Sequence, residues 1–183
     1  MNKRTMKIGA VVCIGLVMTG AMFWVLMNKP KQTYEPEEKT FLVDVFHWGF
    51  VTASSSDPQM ATNSLNDLGM PTTTLQVNAR DKVTIVFRNA EVVPALKEKY
   101  RPYMDRALAA AGFTPAGWEQ FKQRSPLYSG YLITLDCYCG IVELKEGQST
   151  ATLTFTASGA GTVEFRAINA LEMVPMNGNI VVV

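Results

Sequence analysis

Two cysteines one residue apart, a single histidine and two methionines near the C-terminus are the side chains of this chain best suited to chemistry. In Cys137-Tyr138-Cys139 an extended backbone would turn both thiols to one face of a strand. There they could bind a soft metal such as copper, with His47, Met173 or Met176 completing the donor set. The same thiols also read as a strained disulfide or as small buried hydrophobes. His47 is the only imidazole; read as a first-strand residue, it has a structural hydrogen-bonding role, with metal binding as the alternative. One histidine supports no Ser-His-Asp or Cys-His machinery. Met176 reads as core packing, Glu172 as a solvated charge, and Asn177-Gly178 as a turn before the last strand.

The elements that must position these residues are mostly strands. Phe41 to Val51 alternates and is rich in β-branched and aromatic residues, which predicts one strand. Thr52 to Pro71 is polar and carries Asp57-Pro58 and Gly69, which predicts a long loop. Strands resume through Phe87 and return at 130–136, 151–156, 161–167 and 179–183. Between them, 94–124 has apolar residues at helical spacing. Pro102 is expected at a kink or a junction between two helices, Gly112 as a left-handed cap, and Thr114-Pro115 as the start of a further helix. Tyr100, Arg101, Tyr103, Arg106, Trp118, Phe121 and Arg124 give this insertion an interface-like composition; the alternative is that its aromatics pack the helices onto the strands.

At the other end, Ile8 to Met27 is an uncharged apolar run of about 20 residues, the length a helix needs to cross a bilayer. Lys3, Arg4 and Lys7 precede it, which places the N-terminus inside, and the run is too long and its exit too poor for a cleaved signal peptide. The expectation is a single-pass anchor in the inner (cytoplasmic) membrane over residues 1–27, a linker over 28–40 with Pro30 and Pro36, and one domain over 41–183 on the periplasmic or extracellular side. The chain has 17 basic and 16 acidic residues. No basic stripe points to nucleic acid.

Several segments together carry a family resemblance. The run 161–183 (GTVEFRAINALEMVPMNGNIVVV) resembles the final hairpin of the subunit II family of haem-copper oxidases, with EFR at 164–166 and the M-x-G-x-I-V-V closing strand at 176–182. The runs 41–50 (FLVDVFHWGF) and 75–89 (LQVNARDKVTIVFRN) resemble earlier strands of the same domain, and 90–94 (AEVVP) falls where the family carries its first copper histidine. The resemblance implies a mainly β fold: an N-terminal transmembrane helix, then a cupredoxin-like Greek-key β-sandwich, here with a helical insertion at about 94–124. The single helix resembles the B-family (ba-type) form.

In that family the last loop supplies two cysteines, a histidine and a methionine to a dinuclear CuA centre. Here it contains neither Cys nor His, Pro94 stands at or beside the first histidine's position, and only Met176 matches a ligand. Two bridging thiolates and two imidazoles are needed to hold copper in both redox states. The resemblance therefore implies a non-catalytic, CuA-less subunit II-like component of a haem-copper oxidase or nitric oxide reductase complex. Haem and a haem-copper or haem-iron centre would lie in a polytopic partner subunit, and electrons would enter from quinol or a cytochrome. The alternatives are an anchored copper-binding or electron-transfer protein using Cys137 and Cys139, and an anchored adaptor working through its helices.

Overall fold

Alternation of buried side chains along the strands decides the architecture. Phe41, Val43 and Val45 of β1 (Glu38–Phe46), Val83, Ile85 and Phe87 of β5 (Lys82–Asn89), and Leu75 and Val77 of β4 (Pro71–Val77) are all fully buried, each two residues from the next. A period of two puts them on one face of each strand. Two sheets face one another across them. The computed structural model describes residues 34–67, 69–124, 130–136, 140–145, 147–168 and 176–183.

One sheet is four-stranded, in the order β2 (Gly49–Ser55), β1, β5, β8 (Thr150–Thr156). The other is six-stranded, in the order β3 (Ala61–Leu65), β4, β10 (Met176–Val182), β9 (Gly161–Ile168), β6 (Gly130–Leu135), β7 (Gly140–Lys145). Parallel pairing joins β1 to β5 and β10 to β4, and the other pairs are antiparallel. The chain belongs to the mainly β class: a two-sheet sandwich with a helical insertion, and 36–183 is one compact unit. Each fully buried Phe, Leu or Ile contributes roughly 1.5–3 kcal/mol by leaving water.

The insertion is α1 (Pro94–Ala110) followed by α2 (Pro115–Arg124). Pro94 starts α1, where a missing N–H costs nothing. Pro102 lies inside one continuous helix and not at a junction between two. Gly112, at φ +80°, ends α1: its N–H donates to Ala109 O and that of Phe113 to Leu108 O, the double closure of a left-handed cap. Thr114 Oγ1 then accepts from Gly117 N at 3.1 Å and caps α2.

Further expectations change. The single strand over 41–51 is two strands, because His47 and Trp48 form a two-residue hairpin turn closed by the Phe46–Gly49 pair. The expected loop at 52–71 holds the end of β2, a 3-10 turn at Pro58–Met60 and β3. β3 is an edge strand with no buried residue, so it carries no alternating apolar signal. Its neighbour β4 fills an inward position with Thr73, whose hydroxyl is satisfied by Thr52 Oγ1 at 2.7 Å. β7 was not anticipated either; Leu144 alone of its residues is buried. Lastly, Asn177-Gly178 is part of β10, paired with Arg166 and Phe165, and 38–40 are strand rather than linker. The expected transmembrane helix at 8–27 lies outside the described residues, among which no helix is long and apolar enough to cross a membrane.

Gly178 has a packing reason. A Cβ there would sit 2.2 Å from Phe165 Cζ, under a ring at the centre of the core. Gly178→Ala should destabilise the fold by roughly 1–3 kcal/mol, the range of an overpacked core. Urea denaturation of the two proteins checks it, and equal midpoints would mean the ring moves aside at no cost.

Candidate functional site

His47 is carried by the β1–β2 hairpin, and what that turn presents is unusual. Trp48 adopts φ +66°, a conformation rare for a bulky residue, yet it is 2% exposed. Such a backbone persists when surrounding packing fixes it. Trp48 packs with Trp118 at 5.6 Å between ring centroids, and His47 sits edge-on to both indoles, at 5.2 Å and 4.8 Å.

Three elements converge on the His47 ring. Its Nδ1 pairs with the Glu91 carboxylate, from the connection between β5 and α1, and lies 2.8 Å from the hydroxyl of Tyr131, at the start of β6. The Tyr131 hydroxyl itself donates to Glu91. Glu91 is aimed by a local turn in which Asn89 Oδ1 accepts from Glu91 N at 3.0 Å. The side chain of His47 is 2% exposed and that of Glu91 14%. The result is a small imidazole, carboxylate and phenol network beneath Trp118 of α2.

Outside this network lies a cleft of about 500 Å³ whose floor includes His47 and Glu91. One wall is a stripe of α1 containing Lys97, Arg101, Met104 and Leu108; the other is the first turn of α2. Spacing of three and four residues puts that stripe on one helix face. Leu96 and Tyr100, on the adjoining face, are buried against Phe46 and Ala90, and Met104 packs at the edge of the same cluster.

That packing is pinned by a charge. Successive residues of β1 point to opposite faces, so Asp44 and Phe46 turn away from the sandwich core toward α1. Tyr100 stacks on Phe46 at 4.6 Å with an interplanar angle of 11°. Asp44 is fully buried; its Oδ1 accepts from Arg88 Nε at 2.7 Å and its Oδ2 from the Tyr100 hydroxyl at 2.7 Å. Burial, and then the hydrogen bond to Asp44, raise the Tyr100 pKa far above the usual tyrosine value. On the far sheet, the EFR motif forms a surface ladder: Arg166 Nε donates to Glu164 at 2.9 Å, holding that carboxyl below its usual range.

Of the predicted site residues, the structure describes His47 and Met176. His47 is at the hairpin pole, hydrogen-bonded, and Met176 is buried in the core as the first residue of β10. Cys137, Cys139, Met173 and Glu172 lie outside the described residues. The aromatics of the insertion pack inward: Trp118 is buried and stacked with Phe121 at 5.7 Å, and Phe113 joins them. Glu91 and Tyr131 were missed. The one sequence signal for Glu91 is its place in AEVVP, where the resemblance expects a ligand.

A CuA centre does not fit these residues. The chain has one histidine, its Nδ1 is engaged by Glu91 and Tyr131, and Met176 sulfur belongs to the apolar core. Among the described residues no three His, Cys, Asp or Glu side chains are grouped to hold a metal ion.

No family model matches the chain, and no curated protein matches it. Among solved structures it is similar to auracyanin A, a "blue" copper protein from Chloroflexus aurantiacus, with 19% identity and a TM-score of 0.38 over 80% of this chain and 99% of that one. It is also similar to reduced rusticyanin, with 15% identity and a TM-score of 0.37 over 82% of each chain. The sandwich described above stands on its own strand order and register.

Tyr100→Phe should cost roughly 1.5–3 kcal/mol, as a hydrogen bond to a buried charge. The pH dependence has a definite sign. Because the folded protein keeps Tyr100 protonated above its ordinary pKa of 10.0, the unfolded chain binds fewer protons there, and stability falls as pH rises past that value. Urea titrations from pH 8 to 11.5 should show a shallower decline above about pH 10 for Tyr100→Phe than for the parent. Parallel declines would mean that Tyr100 ionises as freely folded as unfolded.

Proposed function

We propose that this chain is a membrane-anchored, cupredoxin-like subunit that carries no electrons itself and braces a larger respiratory subunit. In this reading it is a CuA-less relative of oxidase subunit II. Its partner is a polytopic, haem-bearing catalytic subunit of the oxidase or nitric oxide reductase type, with electrons arriving from quinol or a cytochrome. The anchor at 8–27 holds the sandwich at the outer membrane face.

The observation that supports this most is the chemistry of the pole. Where the resemblance expects copper ligands on the loops, Pro94 begins a helix, Glu91 is turned inward to His47, and α2 lays Trp118 over both. Polar groups that a metal would otherwise organise are held by each other. A pole of this kind can keep a docking face rigid, and it offers no redox centre.

The copper-binding alternative through Cys137 and Cys139 finds less support. His47 and Met176 are the other donors it could recruit. His47 Nδ1 is engaged by Glu91 and Tyr131, and Met176 is buried in the apolar core.

Purification of the tagged full-length chain from its own membranes in mild detergent tests the reading. A haem-bearing polytopic polypeptide should co-purify in stoichiometric amount, and the isolated chain should show no two-copper absorption. Recovery of the chain with a soluble partner alone, or with copper that is lost on Cys139→Ser, would count against it.

A further inference from the structure

In β10, Asn177 is followed by Gly178, the one Asn-Gly pair in the chain. Glycine puts no side chain in the way of its own nitrogen and leaves the backbone free to bend. An asparagine amide in front of it is therefore open to attack wherever the chain is unpaired. We infer that Asn177 is a site of spontaneous deamidation, held silent while β10 is paired, so that opening of this strand exposes the chain to a permanent covalent change.

Water is the only co-reactant. The Gly178 nitrogen gives up its proton and attacks Asn177 Cγ, and the new C–N bond closes a five-membered succinimide. The side-chain nitrogen takes a proton and leaves as ammonia. Water then opens the ring at one of its two carbonyls, giving aspartate or isoaspartate at 177.

The folded chain blocks the first step. Asn177 lies opposite Arg166 and Gly178 opposite Phe165 in the β9–β10 ladder. An extended backbone, with ψ roughly +135°, turns Cβ out of the plane of the following peptide, whereas the ring requires it nearly within that plane. Asn177 Nδ2 donates to Glu164 Oε1, which draws the amide away from the backbone. Asn177 O accepts from Thr72 Oγ1 at 2.7 Å, so the peptide unit that would have to turn is also held from β4. The glycine itself is required by the core, since a Cβ there would meet Phe165 Cζ at 2.2 Å. The sensitive pair is thus kept for packing and guarded by pairing.

The two products have different fates. Aspartate leaves the main chain unchanged and sets its carboxylate opposite Arg166, so the strand re-forms. Isoaspartate routes the main chain through the side-chain carbon and lengthens it by one methylene. Gly178 is then displaced from beneath Phe165, and Asn179 from its partner Thr74. Copies carrying isoaspartate do not rebuild β10, and their unfolding becomes irreversible through chemistry.

The full-length chain in mild detergent is held at mildly alkaline pH, folded in one sample and unfolded by guanidinium chloride in another. The tryptic peptide 167–183 is followed by mass spectrometry with fragmentation. Conversion at Asn177 should be at least about tenfold slower in the folded sample, in proportion to the open fraction, and Asn177→Ser should abolish the gain in mass. Once the denaturant is removed, refolded protein should contain asparagine or aspartate at 177, with isoaspartate confined to the protease-sensitive remainder. Asn177→Asp should refold as the parent does. Equal rates in the two samples, conversion at another asparagine in place of 177, isoaspartate in the refolded fraction at its overall proportion, or failure of Asn177→Asp to refold would each overturn the inference.

Discussion

A single buried carboxylate, Asp44, ties the helical insertion to the sandwich. It has no exposure to solvent, and an ionised group in that position is costly unless charge and hydrogen bonds satisfy it. Both come from different parts of the chain. The parallel register of β1 and β5 puts Arg88 directly beside Asp44, and α1 brings the Tyr100 hydroxyl to the other oxygen. Lifting α1 from the sheet would remove one of those partners and unstack Tyr100 from Phe46. The helix is therefore held in register by one polar contact within an apolar patch, and the stripe that walls the cleft has its orientation set from behind.

The hairpin at His47-Trp48 does the complementary work at the front. A bulky residue at positive φ is disfavoured, and the compensation is visible in the packing of Trp48 and His47 with Trp118. Glu91 and Tyr131 then fix the imidazole from two further segments. Four stretches of chain far apart in sequence meet at this pole, so any one of them is positioned by the other three. That convergence fixes the side chains on the cleft floor.

How much of this the sequence disclosed follows from where the information lay. The core strands were legible because Phe41, Val43 and Val45, or Val83, Ile85 and Phe87, alternate without interruption. The helices and their caps were legible because Gly112 and Thr114-Pro115 act locally. β3 and β7 were not, since edge strands bury little and leave no periodic signal. The turn at His47-Trp48 escaped notice because neither residue is a usual turn former, and the continuous apolar run through Phe50 reads as one strand. Glu91 and Tyr131 could not be paired with His47 from spacing alone, as their meeting is a product of tertiary contacts over 40 and more residues.

The same convergence satisfies the polar groups that gather at this pole. Loop ends at the pole of a two-sheet fold carry backbone and side-chain polar groups, and a bound metal would be one means of organising them. Without it they must find partners or water. Here the imidazole takes a carboxylate and a phenol, and the indole of Trp118 excludes solvent from the other side. That arrangement needs α2 in place, and α2 is reached only through α1. The insertion and the hydrogen-bonded pole thus support each other: the helices cover the buried His–Glu pair, and the pair gives the helices a fixed surface on which to rest.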